Sequence, residues 1–462
     1  MSDALKQAKT PRWRRVPAGA AIALALLGGV FLVTAETHAQ RRPNFLIVTV
    51  DTLRPDHLSG YGYERPTSPN IDRLMARGVR FTQARAPVGL TCPALASMIT
   101  TLEPHEHGST RNGLRVRPGL ASMPKFLTRR GYTTAAFVSN WTLKDTLCGL
   151  AEHFDTWEEI LERRRWLFGR REAEAEDVTD EALAWLEEHV EENGRDPFFL
   201  WVHYVEPHFP YVLHEEFLDQ LGLGVLGSTF SPRDRYDSEI AYVDASIGRF
   251  LERFDELVEP ESAYVVFTAD HGESLGDHGF WGHGKHVYEA ELRIPLAIVR
   301  PGQIEPSTIR APAKLDDLAA TLFGLAEFPV PDFLEGYDFA PVMRGEAPDP
   351  LERVTYHQGH KGTVKPHEDQ RGLRRRGLLE VGRVEEGRKE VWVVKREKRR
   401  VFDLEEDREE LDDLAEPGSP ISEELAAWLE EVRSGLVRSD SLPPPNLSEE
   451  EIEQLEALGY LD

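Results

Sequence analysis

Three stretches of this sequence end in polar residues that could perform metal-assisted displacement at an ester. Asp270-His271-Gly272-Glu273 follows an apolar run at 264–269, and Asp51 ends the run 44–50. A carboxylate and an imidazole at one strand end, joined by a carboxylate from another, are good ligands for a divalent cation. Thr91 stands two residues before Pro93, and proline suits the first turn of a helix. Thr91 is then at or just before a helix N-terminus, where backbone N–H groups and the dipole favour an anion. A hydroxyl in that place, next to a bound cation, can ionise and attack a tetrahedral ester. Taken singly, Asp51 and Asp270 read equally well as helix caps, and Thr91 as an ordinary N-cap.

The elements that must position these residues alternate. Runs at 44–50, 132–138, 198–205 and 264–269 are short and nearly continuously apolar, as strands of a parallel sheet covered on both faces should be. Helical patterns at 71–77, 124–130, 178–190 and 236–254 lie among them. Strand–helix alternation predicts an α/β fold, and in such sheets sites form at the carboxyl ends of strands. Asp51, Glu206 with His208, and Asp270 with His271 all fall at that edge. Beyond about residue 345 the pattern changes. Residues 345–365 read as loop, and 377–381, 391–395 and 401–404 as short antiparallel strands. A helix is expected at 421–432, and a last one opens at Ser448 and closes at Gly459.

The chain has 462 residues and a formal net charge of −26. Such a polyanion should not bind nucleic acid through a basic surface. Lys6, Lys9, Arg12, Arg14 and Arg15 precede an uncharged stretch at 16–35 and a small-residue cleavage site at Thr37-His38-Ala39-Gln40. Residues 1–40 therefore read as a signal peptide or N-terminal membrane anchor, with the rest exported to a periplasmic or extracellular space. Cys92 and Cys148 are too few for a disulfide framework. One bridge stays open, and Cys92 is read as a small buried residue.

Several segments, in order, resemble the sulfatase family, a branch of the alkaline phosphatase superfamily. They are Val50-Asp51-Thr52-Leu53-Arg54-Pro55-Asp56-His57-Leu58, Thr67-Ser68-Pro69-Asn70-Ile71-Asp72, Glu103-Pro104-His105-Glu106-His107-Gly108 and His203-Tyr204-Val205-Glu206-Pro207-His208-Phe209-Pro210-Tyr211. The second metal block resembles Phe267 to Glu273, Gly282-His283-Gly284-Lys285, Tyr288-Glu289 and Arg293-Ile294-Pro295-Leu296, and the C-terminal part Val401-Phe402-Asp403-Leu404 and Leu458-Gly459-Tyr460. The resemblance implies an α/β/α sandwich with a mostly parallel central sheet, a catalytic domain at 41–345 and a small α+β subdomain at 346–462.

The departures redirect the chemistry. The family carries a Cys or Ser, oxidised to formylglycine, two residues before the motif proline and an Arg two residues after it. Here Thr91 and Leu95 hold those places, and Cys92 is one position off. The family's sulfate-contacting Lys and His are missing, since the chain reads Val138-Ser139-Asn140-Trp141 where they should stand. Thr52 replaces the acid or amide that usually follows the first metal Asp. The Asp51, Thr91, Asp270 and His271 set looks instead like the site of the superfamily's phosphodiesterases and transferases. That likeness implies that Asn112 hydrogen-bonds a nonbridging substrate oxygen.

The expected enzyme is a hydrolase of phosphate or sulfate esters, phosphoesters favoured. Thr91 is its nucleophile, His208 and His283 its proton donors and acceptors, and Lys285 and Asn112 its charge-offsetting groups. Asp51, Thr91, Asp270 and His271 form the metal set. Zn²⁺ or Mn²⁺ is favoured over Ca²⁺ because imidazole is the softer donor, and a second metal stays open. Competing readings are an arylsulfatase-type sulfuric ester hydrolase, a transferase acting on cell-envelope alcohols, and an inactive binding protein.

Overall fold

In the computed structural model, residues 42–161, 174–224, 229–329, 331, 334–364, 372–439, 442 and 452 are described. The segment read as signal or anchor and the helix expected from Ser448 lie outside them. Among the described residues, no helix is long and apolar enough to cross a membrane.

Eight strands make the central sheet: β1 (Asn44–Val50), β2 (Val79–Phe81), β3 (Thr133–Val138), β4 (Thr156–Glu159), β5 (Phe198–Tyr204), β6 (Ala263–Ala269), β7 (Leu296–Val299) and β8 (Ser307–Ile309). Their order is β8-β2-β7-β6-β1-β5-β3-β4. Only β7 runs against its neighbours. Every residue of β5 and β6 is buried, so both faces of the sheet are covered, as their unbroken apolar runs require. Helix Ala175–Asn193 packs on Pro232–Leu257 and on β5 and β3. The sequence reading placed both helices, short by a few residues at their ends.

Four more strands, β9 (Thr355–His360), β10 (Leu378–Glu385), β11 (Arg388–Val393) and β12 (Lys398–Asp403), form an antiparallel meander in that order. Leu425, Trp428, Leu429, Val432 and Leu436 of helix Glu423–Ser439 cover Leu378 and Val381. Residues 345–365, expected as loop, contain β9. Its polar sequence hides a buried strand. His357 hydrogen-bonds the Ala86 carbonyl at 2.9 Å, the Gln358 amide nitrogen meets His105 Nδ1 at 3.0 Å, and the Gln358 N–H donates to Pro87 O. Satisfied polar groups can be buried without an apolar pattern to announce them.

Charge joins this meander to the central part. Arg85 makes two 2.8 Å bonds to Glu289, and Lys389 Nζ lies 3.0 Å from both Glu289 and Glu410. All four side chains are buried.

Candidate active site

Strand register builds the centre of the site. Val50 pairs with Ala269 on one side of β1 and with Tyr204 on the other. The next residues, Asp51 and Asp270, therefore leave the sheet side by side. Asp270 Oδ1 accepts the N–H of Thr52 at 3.1 Å, and the Thr52 carbonyl accepts the Tyr236 hydroxyl at 2.7 Å. Thr52 is held at φ 53°, a conformation a β-branched residue seldom adopts. Strain of this kind persists only where the surroundings over-determine it, and it gathers at sites.

His271 Nε2 lies 3.3 Å from Asp270 Oδ2, 3.7 Å from Asp51 Oδ1 and 3.4 Å from Thr91 Oγ1. Its Nδ1–H donates to the Gly272 carbonyl at 2.8 Å, which leaves the Nε2 lone pair facing the carboxylates. Burial pushes its pKa down to about 4, so the ring is neutral at pH 7. Thr91 is the first residue of the fully buried helix Thr91–Thr100, whose N-cap residue, Leu90, offers no side-chain cap. The four residues read as a metal and nucleophile set thus meet in space.

Asn112 joins from the side. Its Oδ1 accepts the Cys92 N–H at 3.1 Å, and its Nδ2 is buried with no hydrogen-bond partner. Cys92 is bonded to Cys148 in a disulfide, which supersedes its reading as merely a small buried residue. Leu95 sits in the core where the resemblance expected an Arg.

A cleft of about 280 Å³ opens beside this centre, lined by His208, Phe209, Glu273, Trp281, His283 and Lys285 among others. The Nε2 atoms of His208 and His283 are 3.2 Å apart. His208 Nδ1 faces the Phe209 carbonyl at 2.6 Å and His283 Nδ1 the Gly89 carbonyl at 3.0 Å. With both Nδ1 positions donating, a hydrogen bond between the rings takes one added proton. Burial, then the neighbouring His271, pushes His283 down to about 3. The Lys285 ammonium lies 4.9 Å over the Phe280 ring. Burial raises Glu273 to about 8, with the Tyr211 hydroxyl donating to it at 2.6 Å.

Three residues here received no role from the sequence. His203, on β5, forms with Asp51 and Asp270 a group whose ligand atoms lie within 4.8 Å of one another. A histidine inside Phe-Phe-Leu-Trp-Val-His-Tyr was the available signal. Its Nδ1 meets Thr49 Oγ1 at 2.8 Å, an oxygen that also accepts the Trp201 indole N–H. Asn140 Nδ2 donates to Asp51 Oδ2 from the end of β3. Glu291 is the third. Glu206 Oε1 accepts the Ala175 N–H at the start of its helix. His107 bonds Ser97 and the Pro93 carbonyl, His105 faces Gln358, and His286 faces Glu380.

The donor set fits a divalent cation. His203 Nε2 and Asp270 Oδ2 are buried with no hydrogen-bond partner, a costly state unless a ligand satisfies them. Burial holds the Asp270 carboxyl up at about 6.

The sequence profile of the sulfatase family matches residues 43–328. A second profile, the C-terminal part of N-sulphoglucosamine sulphohydrolase, matches 276–435. Human arylsulfatase A is 25% identical over 388 residues, covering 70% of this chain and 72% of that protein. The choline-sulfatase of Rhizobium meliloti is 22% identical over 464 residues, 85% of this chain and 86% of that protein. Among solved structures, a protein in complex with its substrate D-glucosamine-2-N,6-O-disulfate matches with a TM-score of 0.68 at 20% identity, covering 87% of this chain and 100% of that one. The phosphonate monoester hydrolase of Agrobacterium radiobacter matches with a TM-score of 0.65 at 20% identity, 86% and 96% covered.

Proposed function

The chain belongs to the sulfatase family, and on that footing we propose that it hydrolyses phosphate-type esters with Thr91 as covalent nucleophile. The observation that carries this reading is the placement of Thr91 Oγ1, 3.4 Å from His271 Nε2, on the first residue of a buried helix whose own N-cap residue offers no side-chain cap. Cys92, the nearest thiol in sequence, is consumed in a disulfide and offers nothing to oxidise to formylglycine.

Asp51, Asp270 and His271 would hold one divalent cation, with His203 joining when its Nδ1 carries the proton. When bound, the cation supplies charge neutralisation and Lewis-acid polarisation of the ester. With its hydroxyl proton released to solvent, Thr91 attacks the phosphorus in line, the bond to the leaving oxygen breaks, and Thr91 carries the transferred group as a threonyl ester. Asn112 Nδ2 donates to a nonbridging oxygen, and Lys285 offsets charge on the same group. The His208–His283 pair holds a proton for the leaving oxygen and later takes one from the water that frees Thr91.

The missing Lys and His of the sulfate site, with Asn140 turned to Asp51 in their region, favour phosphoryl or phosphonyl over sulfuryl groups. A fold neighbour named for phosphonate monoester hydrolysis lends support. The sulfuric ester reading rests on the relatives' names. Export guided by residues 1–40 accords with a disulfide, which persists in oxidising compartments.

The test is a panel of aryl phosphate, phosphodiester, phosphonate and sulfate esters on wild type, Thr91→Ala and Cys92→Ala. We expect phosphorus esters to turn over, Thr91→Ala to be inactive, and Cys92→Ala to keep kcat in its folded fraction. Turnover of sulfate alone, or an active Thr91→Ala, would overturn the reading.

A further inference from the structure

His283 and Lys285 face the cleft from a glycine-rich segment. Gly282 and Gly284 both hold positive φ, at 99° and 85°. At Gly284 an added Cβ would meet Leu90 Cδ2 at 2.5 Å, so the segment is pressed against the residue before Thr91. Such a segment is intrinsically free to move, and its side chains need something rigid to aim them.

Two anchors are present. One is the bond from His283 Nδ1 to the Gly89 carbonyl. The other is Glu291, on the short helix Glu289–Leu292 and wholly buried. Its Oε2 accepts the backbone N–H of Lys285 at 3.1 Å and of His286 at 3.3 Å. Its own backbone carbonyl accepts the Gly272 N–H at 2.8 Å, one residue beyond His271. The Cβ position of Gly89 lies 3.4 Å from Glu291 Oε2 and 3.4 Å from the Gly284 nitrogen. One residue therefore touches the metal-side turn, the lead-in to Thr91 and the segment bearing His283 and Lys285. Its second carboxylate oxygen is buried with no hydrogen-bond partner. That burial is unfavourable in itself, and a residue serving packing alone would do better as leucine or methionine.

We propose that Glu291 is a positioning residue: through backbone amides it sets where His283 and Lys285 stand relative to Thr91. This rests on the phosphoester reading above. Glu291 touches no substrate. One oxygen, Oε2, accepts both amide N–H groups, so methionine, of similar length but without a strong acceptor, removes both bonds at once. Misplacing a proton donor by a fraction of an ångström costs most where the leaving group most needs the proton.

The experiment compares leaving groups across a series of aryl phosphorus esters in wild type and Glu291→Met, which removes the oxygen that accepts both amides. We expect kcat for poor leaving groups to fall by about tenfold to a hundredfold. For 4-nitrophenol, which leaves without a proton, the fall should be under about threefold, so the plot of log kcat against leaving-group pKa steepens. Metal content per chain should stay at the wild-type level. Glu291→Asp, which keeps both acceptors but withdraws them by a methylene, should give an intermediate slope. An equal fall for all leaving groups, or none, overturns the proposal. Failure of both variants to fold does so too, because it would make Glu291 a stability residue. The control is Thr91→Ala: if that variant turns over, the phosphoester reading itself has failed; if it is inactive while the slope is unchanged, only the role of Glu291 has.

Discussion

At the seam beneath the C-terminal meander, Arg85 and Lys389 meet Glu289 and Glu410, two cations against two anions with bonds of 2.8–3.0 Å. At the carboxyl edge of β1 and β6, Asp51 and Asp270 are just as deeply buried, yet the ion pair that reaches them is with His271, an imidazole that burial keeps neutral. Both regions concentrate charge in a low-dielectric interior, where an uncompensated ion is costly. The seam balances itself with the chain's own side chains. The strand edge instead brings Asp51, His203 and Asp270 together as a group that could hold a metal ion. Buried charge alone does not set such a place apart; ligand atoms gathered around one point do.

The contrast can be broken from either side. The largest effect is expected at the edge. Asp270→Asn should abolish stoichiometric metal binding, measured by elemental analysis, and lower turnover by about 10³ or more. Full metal content in that variant would remove the distinction drawn here. At the seam, Arg85→Ala should cost about 3–5 kcal/mol in urea unfolding, because it removes two bonds to the buried Glu289 carboxylate and leaves Lys389 shared between two carboxyl groups, while the folded fraction keeps its metal. A variant as stable as wild type would mean the seam charges are not mutually compensated. Replacing both Cys92 and Cys148 by Ala should cost about 2–4 kcal/mol for a crosslink 56 residues apart, with kcat near wild type once folded. A collapse of kcat at unchanged stability would tie the crosslink to the chemistry instead.

The smallest effect sharpens the seam itself. Burial alone would raise the Glu289 carboxyl, but Arg85 and Lys389 overcome this and hold it well below the usual carboxylate range. A depressed folded pKa adds stability that is present above the unfolded value near 4.5 and is lost as pH falls toward the folded one. Arg293 and Glu410 also face the group, and Glu410 is pushed the other way, up to about 7, by its burial. Wild type should therefore lose up to about 2 kcal/mol more than Glu289→Gln between pH 5 and pH 3, read from thermal unfolding. Parallel curves would show that Glu289 is not the residue titrating.

What could be read in the sequence was whatever left a periodic or terminal mark. The runs that became β1, β5 and β6 stop at Asp51, beyond Tyr204 and at Asp270, and parallel pairing in register then brings those ends together. The positions of Asp51, Asp270 and His271 were legible for that reason, and that of Thr91 from the proline two residues on, which marks a helix start. His203 was not, because it lies inside a strand and its value comes from Thr49 and Trp201 on either side of one hydrogen bond. Asn140 looked like a strand stop and nothing more. β9 escaped because its buried residues are polar and satisfied by distant partners. Glu291 was invisible for a related reason: its role is to hold backbone, which has no side-chain signature.

The bond between Cys92 and Cys148 bears on how this protein must be made. A host that supplies an enzyme for converting cysteine side chains would find no thiol to act on beside Thr91 in the folded chain, so co-producing such a maturase should add nothing. A reducing cytosol would withhold the link that ties the start of the Thr91–Thr100 helix to a segment 56 residues downstream. Yield of correctly assembled material should follow the redox setting of the expression compartment and be indifferent to the maturase.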